Sequence, residues 1–427
     1  MIRLVYNLLW PIGLFFFLPG YLVKMFRRGG YREKFGQRLG FYDRAVRQRL
    51  AQQRFTWLHA VSVGEVAIAL KLAKELRILQ PGREIALTTT TTTGFAFARA
   101  NAAPWIEVMY MPLDFWPIMH RAFSVIQPAG IVLVEAEVWP NLVAEAKQRR
   151  IPIALVNARL SPRSEKRFLQ FRRFVGPIFR QLDLICVSER EDVGRWQALG
   201  VASDRLQRVG SIKFDPAHKG IDRTTPGKVL HDLKIDGQRP TIFGGSTHLG
   251  EEPILGEIFS RLRAKFDGLL LILAPRHAER AREVQRALQK LGLRVALRSQ
   301  PSAAPDAVDC LILDSTGELA NWYPVATVVF MGKSLTAHGG QNPVEPVVAG
   351  VPVIFGPNME NFAKLARELL EKKGAIEVAD AGGLERAIGS LLADPGARRT
   401  LVENAEEVIS QHRGATERTA SLIAKLL

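Results

Sequence analysis

The sequence predicts two doubly wound α/β domains, each built on a parallel sheet. Three observations carry this. Short apolar runs alternate with helical patterns, as they do where crossover helices join parallel strands. The alternation stops in a polar, turn-rich stretch, Ala217 to Arg239, and then starts again. The clearest single unit, Val329 to Asn361, reads strand, Gly-rich loop, helix, strand, loop. In such sheets ligands bind at the carboxyl ends of the strands.

In the first half the expected strands are Phe55 to Val61, Ile85 to Thr88, Glu107 to Met111, Gly130 to Val134, Ile153 to Val156 and Leu184 to Ser188. Ser62-Val63-Gly64-Glu65 turns into a helix with apolar positions Val66, Ile68, Ala69, Leu70 and Leu72. The threonine run Thr88 to Thr93, before Gly94, reads as a loop of hydroxyl donors after a buried strand. Ser161 to Arg180, rich in Arg, Lys and Phe, reads as an amphipathic helix with a solvated basic face, which an acidic headgroup would also suit. In the second half the expected strands are Thr241 to Gly244, Leu269 to Ala274, Arg294 to Leu297, Cys310 to Leu313, Val325 to Met331 and Val351 to Phe355. A long helical pattern, Arg398 to Leu427, is expected to pack back on the first domain.

Composition narrows the class. With 427 residues and 47% apolar content the chain can fill two cores. Its two cysteines, Cys186 and Cys310, lie in apolar runs, with no disulfide framework and no Cys/His metal spacing. That points to a reducing compartment. A net charge of +16 points to an anionic partner: nucleic acid, acidic lipid or a phosphorylated substrate. Aromatics do not interleave with the basic runs and no nucleic-acid motif occurs, so nucleic acid is set aside.

The N-terminus carries its own signal. Leu4 to Val23 contains no charge. At about 1.5 Å per residue the run reaches about 30 Å, enough to span a bilayer. Pro11 and Pro19 suggest a kinked span or a shallow insertion. There is no A-x-A cleavage site, so no removable signal peptide is read. Lys24, Arg27, Arg28, Arg32, Lys34 and Arg38 follow, which places the bulk of the chain in the cytoplasm and suits anionic headgroups.

Candidate chemistry sits at the strand ends. Glu65 follows Gly64 at a strand-to-helix turn, where a carboxylate can take a proton from an incoming hydroxyl. The plain alternative is a stabilising first-turn charge. Glu135 and Glu137 flank another strand end, and one of the two reads as plain surface or helix-start charge. In the second half, Gly244 to His248 follows a strand and can cradle a phosphate through N–H groups and hydroxyls. Pro275-Arg276-His277 brings an arginine suited to bidentate phosphate contact. Asp314 to Leu319 follows the strand Cys310 to Leu313 and opens a helix. A helix opening at Asn342-Pro343 offers free N–H groups, with Glu345 in its first turn as an acceptor for a ribose hydroxyl. The bland reading there is a Gly/Pro turn with a helix-start carboxylate. No D-x-D metal motif occurs, which favours metal-free transfer. His277 and His338 lie in loops, while histidines 59, 120, 218, 231 and 412 read as structural or exposed.

These motifs together resemble the 3-deoxy-D-manno-octulosonic acid (Kdo) transferases of lipopolysaccharide assembly. The resemblance rests on HAVSVGE (His59 to Glu65), the threonine run, VEAEVWPN (Val134 to Asn141), GSIKFD (Gly210 to Asp215), APRH (Ala274 to His277), STGELANWY (Ser315 to Tyr323) and GGQNPVEP (Gly339 to Pro346). It runs through nearly the whole chain. It implies a two-Rossmann B-type glycosyltransferase fold, a CMP-Kdo donor and a lipid A precursor acceptor. It also implies inverting, metal-free transfer with no cofactor, at the cytoplasmic face of the bacterial inner membrane among its lipids.

By position, Glu65 resembles the family's proton acceptor, and Glu135 and Lys213 the groups that support the transition state. Pro275, Arg276, Gly317, Glu318, Leu319, Asn342, Pro343, Val344 and Glu345 resemble its CMP-binding loops. Two departures are mild: Glu135-Ala136-Glu137 where the family often has Glu-Thr-Glu, and Gly210-Ser211-Ile212-Lys213 where it has Gly-Asn-Leu-Lys. The charged residues survive both. The implied organisation is an anchor (1–28), an acceptor domain (29–216), a linker (217–238), a nucleotide-sugar domain (239–400) and a C-terminal helix (401–427). Two alternatives stand beside it. One is a B-type glycosyltransferase using a UDP-sugar, which CMP binding would separate. The other is a non-catalytic membrane-surface binding protein, against which Glu65, Glu135, Lys213 and Arg276 together argue.

Overall fold

A computed structural model of the chain describes residues 3–11, 13, 15, 16, 20, 34–160, 162–216, 222, 224–301 and 307–427. The chain divides into two compact units, Met1–Asp215 with His412–Leu427, and Pro216–Gln411.

The first unit is built on β1 (Thr56–His59), β2 (Ile85–Thr89), β3 (Ile106–Tyr110), β4 (Gly130–Val134), β5 (Ile153–Ala158), β6 (Leu184–Val187) and β7 (Leu206–Arg208). The order is β3-β2-β1-β4-β5-β6-β7, and neighbouring strands pair in parallel. Every residue of β1, β2, β4, β5 and β6 is buried. Alternate side chains serve opposite faces. Trp57, Ile131, Leu133 and Leu155 join one apolar cluster, and Leu58, Val132, Val134 and Val156 the other. Cover on both faces is why these strands read as mostly apolar runs rather than alternating ones. The strand order reverses between β1 and β4, which opens a crevice at their carboxyl ends. Glu65 follows β1 and Glu135 follows β4.

The second unit repeats the plan with β8 (Thr241–Thr247), β9 (Leu270–Pro275), β10 (Val295–Leu297), β11 (Cys310–Ile312), β12 (Val328–Met331), β13 (Val353–Phe355) and β14 (Ile376–Glu377). Its order is β10-β11-β9-β8-β12-β13-β14, again parallel, with the reversal between β8 and β12. Backbone approaches backbone at this point. A Cβ on Gly332, just past β12, would lie 2.4 Å from the Ser246 carbonyl oxygen, so only glycine fits.

Two stretches differ from expectation. Within 217–238, residues 217–221 and 223 lie outside the described residues, but Thr224–Asp232 is a helix of the second unit. Leu230, Leu233 and Ile235 are buried there, so this part is core rather than free linker. The C-terminal pattern is two helices, Pro395–Ser410 and Ala415–Leu426. They break at Gly414, whose φ of +74° suits glycine. The first belongs to the second unit. The last packs on the helix Val63–Leu79, with Ala420 and Ile423 in one cluster with Leu72 and Leu76. Asp215 fastens its start by accepting from the N–H groups of Gly414 and Thr416, both at 2.8 Å.

At the other end, residues 3–11 are helical and docked on the first unit. Arg3 pairs with Glu145 at 2.9 Å, Asn7 and Asn141 exchange amide hydrogen bonds of 2.9 Å, and Trp10 stacks on Phe115. Positions 3, 7 and 10 share one face, and Leu4, Val5, Leu8 and Leu9 are exposed on the other. Residues 12, 14, 17–19 and 21–23 of the expected span lie outside the described residues. Among the described residues no helix is long and apolar enough to cross a membrane. Lys24, Arg27, Arg28 and Arg32 lie outside the described residues.

Candidate active site

At the β1 end, Ser62 caps the helix Val63–Leu79. The Val61 N–H donates to one Glu65 carboxylate oxygen at 3.0 Å, and the Ser62 hydroxyl to the other at 2.8 Å. This is a capping-box arrangement, so the first-turn reading of Glu65 has real contacts behind it. It also fixes the direction of the carboxylate. The Val61 carbonyl accepts from the Thr89 and Thr91 hydroxyls at 3.0 and 2.9 Å. These two threonines thus hold the β1 loop rather than reaching out for a ligand. His59 is fully buried, bonded to Thr88, and its pKa is lowered to about 4 by burial, so it stays neutral.

Glu135 ends β4 with φ +62°, a conformation that non-glycine residues rarely adopt and that concentrates at functional sites. Its carboxylate lies 3.2 Å from Arg159, just beyond β5. Burial raises the Glu135 pKa above the ordinary range and Glu65 adds to this, while Arg159 and Lys213 oppose it. Lys213 is pushed down by burial and by Arg159, with Glu135 opposing. Glu137 is pushed up to about 7, first by burial, then by Glu65 and Glu135. Three carboxylates and two cations therefore feel one another at the ends of β1, β4, β5 and β7.

The residues named from sequence, Glu65, Glu135 and Lys213, come together here from distant parts of the chain. Glu137 joins them: half-buried and inside the same field, it is not plain surface. Arg159 was missed. Its signal was available, a charge directly after the buried strand β5.

Five loops of the second unit share one sheet edge, because all its strands are parallel. Pro275 closes β9, and the Arg276 N–H donates to the Thr247 carbonyl at 2.9 Å. The Arg276 side chain is exposed and makes no ion pair among the described residues.

Glu318 is committed to Arg298 through a 2.6 Å ion pair, and the Ser315 hydroxyl also donates to it. Arg298 is a second residue that sequence reasoning missed. Gly317 turns the chain before it with φ +86°, and Leu319 starts the short helix Leu319–Trp322.

The helix after the Gly-Gly turn is Val344–Val348, barely one turn. It has too few aligned peptides for the phosphate-binding dipole expected of it. Pro343 precedes it, and the Asn342 side chain accepts from the Val344 N–H at 3.2 Å. Glu345 is open to solvent, yet protein crowded round its carboxyl raises its pKa. His338 pairs with Glu360 at 2.7 Å, and His277 lies 3.5 Å from Glu279. His120 and His231 are exposed and His412 is buried, while His218 lies outside the described residues.

The raised pKa of Glu137 has a consequence for stability. In the folded chain it binds its proton up to about pH 7, against an ordinary 4.5. The unfolded chain therefore ionises first, and stability falls as pH rises from 4.5 towards 7. Glu137→Gln removes this loss. Its melting temperature should gain on the parent's across that window and run parallel above it, as calorimetry at several pH values would show.

Comparison with known proteins adds ancestry to this geometry. Residues 33–216 match the sequence profile of a family described as 3-deoxy-D-manno-octulosonic-acid transferase (kdotransferase). The 3-deoxy-D-manno-octulosonic acid transferase of Haemophilus influenzae is 34% identical over 405 residues, covering 93% of this chain and 92% of the relative. That of Bordetella pertussis is 35% identical over 377 residues, covering 85% of each. Among solved structures, the glycosyltransferase of kitacinnamycin matches with a TM-score of 0.52 at 14% identity, covering 87% of this chain and 99% of that one. A calicheamicin glycosyltransferase matches with a TM-score of 0.51 at 12% identity, covering 88% and 98%. These two speak to the fold alone, two parallel-sheet α/β domains like those of B-type glycosyltransferases. With full-length relatives at that identity, and with Glu65, Glu135 and Lys213 gathered at one strand edge, the chain belongs to the 3-deoxy-D-manno-octulosonic acid transferase family and is a glycosyltransferase.

Proposed function

We propose that the protein moves Kdo from CMP-Kdo to the phosphorylated, acylated lipid A precursor (lipid IVA), with inversion and without a metal, in lipopolysaccharide assembly. The observation that carries this is the convergence of Glu65, Glu135 and Lys213 beside Arg159 and Glu137, within a member of this family. In the proposed reaction an acceptor hydroxyl attacks the anomeric carbon on the face opposite CMP. Glu65 takes the proton as that bond forms. Glu135 and Glu137 stand at the same strand edge as Glu65, and Lys213 and Arg159 balance anionic groups of donor and acceptor. In the second unit Arg276 meets the donor phosphate and Glu345 a ribose hydroxyl. Incubation with CMP-Kdo and tetra-acylated lipid A precursor, with the products weighed by mass spectrometry, tests the reaction. CMP release without a mass gain of the acceptor would argue against it, and use of a UDP-sugar would favour the alternative donor.

Glu65→Gln separates base from cap. Loss of a general base lowers turnover about 10²- to 10⁴-fold. Loss of a capping contact alone costs about 0.5–2 kcal/mol of stability with turnover kept. Rate and melting temperature measured on one sample decide between them, and near-normal transfer would move the assignment to Glu137 or Glu135.

Arg276→Ala removes a charged phosphate contact. The CMP dissociation constant should rise about 10- to 100-fold, corresponding to about 1.5–3 kcal/mol. Wild-type CMP affinity by calorimetry would mean that the donor phosphate is held elsewhere.

We also propose that the N-terminal helix lies in the plane of the inner membrane on its cytoplasmic side. Its inner face is bonded to the first unit and its outer face presents Leu4, Val5, Leu8 and Leu9. The +16 charge favours anionic headgroups. Replacing Leu8 and Leu9 together by Glu, both exposed, should weaken binding to anionic vesicles about 10- to 100-fold. Unchanged co-sedimentation would remove this helix from the contact.

A further inference from the structure

The loop Gly332-Lys333-Ser334 has a partner inside the protein. Glu251 begins the helix Glu251–Leu262 and is 1% exposed. Its carboxylate accepts four backbone N–H groups. Those of His248 and Lys333 reach one oxygen at 2.7 and 2.8 Å, and those of Ser334 and Leu335 reach the other at 3.1 Å each. One side chain thus joins the loop after β8 to the loop after β12, across the point where the strand order reverses. Successive N–H groups converging on one anion are the arrangement by which many loops hold phosphate. Here the chain's own buried carboxylate occupies that place, so these amides are not open to the donor.

The tie extends outward. The Ser334 hydroxyl accepts from the Gly356 N–H at 2.8 Å, and its carbonyl accepts from the Asn358 N–H at 3.0 Å. The Lys333 carbonyl accepts from the Gly340 N–H at 2.9 Å. Gly356 has no room for a Cβ, which would lie 2.3 Å from the Ser334 carbonyl oxygen. The turns before and after Asn342–Glu345 therefore hang on the loop that Glu251 holds. The next residue, Glu252, is equally buried and accepts from Thr247 at 3.1 Å and Arg280 at 2.9 Å, which secures the loop carrying Arg276.

We propose that Glu251 is a positioning residue for donor binding: it holds the loop after β12 in the form that sets Asn342 to Glu345 against the nucleotide. The proposal rests on the reading of the second unit as the CMP-Kdo site. Glu251 is buried behind the loop and acts only through it. Its loss appears in donor affinity, while the chemical step of bound donor is kept.

The test is Glu251→Gln in the full chain. Glutamine keeps size and helix start, but its amide group faces two of the four N–H donors and leaves them unsatisfied. The KM for CMP-Kdo and the dissociation constant of CMP should each rise about 10-fold or more. Turnover at saturating donor should stay within about 3-fold. Hydrogen exchange should quicken at Lys333, Ser334 and Leu335 while β9 and β12 keep their protection. Ser334→Ala, which cuts only the hydroxyl link to Gly356, should move KM the same way by less. It carries the test if Glu251→Gln does not fold. Unchanged KM and CMP affinity in either folded variant overturns the proposal, and so does a fall in turnover with KM unchanged. Arg276→Ala run beside them separates the failures. If it too leaves CMP affinity intact, the donor reading of this unit falls. If it weakens CMP while Glu251→Gln does not, only the role of Glu251 falls.

Discussion

Carboxylates that accept backbone N–H groups hold this protein's loops where its strands end. A parallel strand leaves its ladder at the carboxyl end, and the loop that follows has donors to satisfy. Glu65 accepts from Val61 after β1, Asp114 from Asn141 and Leu142 after β4, and Asp183 from Ile153 at the start of β5. Asp215 accepts from Gly414 and Thr416, and Glu251 from four donors at once. Charge-assisted bonds of this kind are stronger than neutral ones, and in a low dielectric they resist rearrangement. Loops held this way can carry functional side chains in fixed directions without regular structure of their own.

The same device shapes the charge of the surface. The chain has 58 Lys and Arg against 42 Asp and Glu, and many of the acids are turned inward. Asp114, Glu145, Asp192, Asp215, Glu251, Glu252 and Asp309 are all buried. Most of them pair there with Arg or Lys side chains. Arg276 and Arg159 are the most exposed cations in the two candidate sites.

Both sheets reverse their strand order beside their first strand, and both keep non-glycine residues at positive φ there. Glu135 has φ +62°, Ser246 +52° and Lys333 +55°. Such conformations persist only when surrounding contacts over-determine them. Arg159 does this for Glu135, and Glu251 for Lys333. Strain and its restraint occur together where ligands of open α/β sheets bind.

Much of this was legible in the residue order. Two parallel sheets follow from the alternation of buried runs with helical patterns, because crossover helices cover both faces and leave the central strands buried and mostly apolar. Glu65, Glu135 and Arg276 were legible as charges at strand ends, and Lys213 only through the resemblance to family motifs. What periodicity cannot carry is partnership across the chain. Arg159 meets Glu135, Arg298 meets Glu318, and Glu251 meets Lys333 only once the sheet order sets their loops side by side. The short helix from Val344 was legible too, as a helical segment between the Gly-Gly turn and Gly350, and it runs Val344–Val348. The N-terminal run shows the same division. Its lack of charge from Leu4 to Val23 was written in composition. That residues 3–11 dock by Arg3, Asn7 and Trp10 was decided by Glu145, Asn141 and Phe115, more than a hundred positions away. Local order sets which residues are apolar and in what rhythm, and packing alone decides which polar atoms find each other.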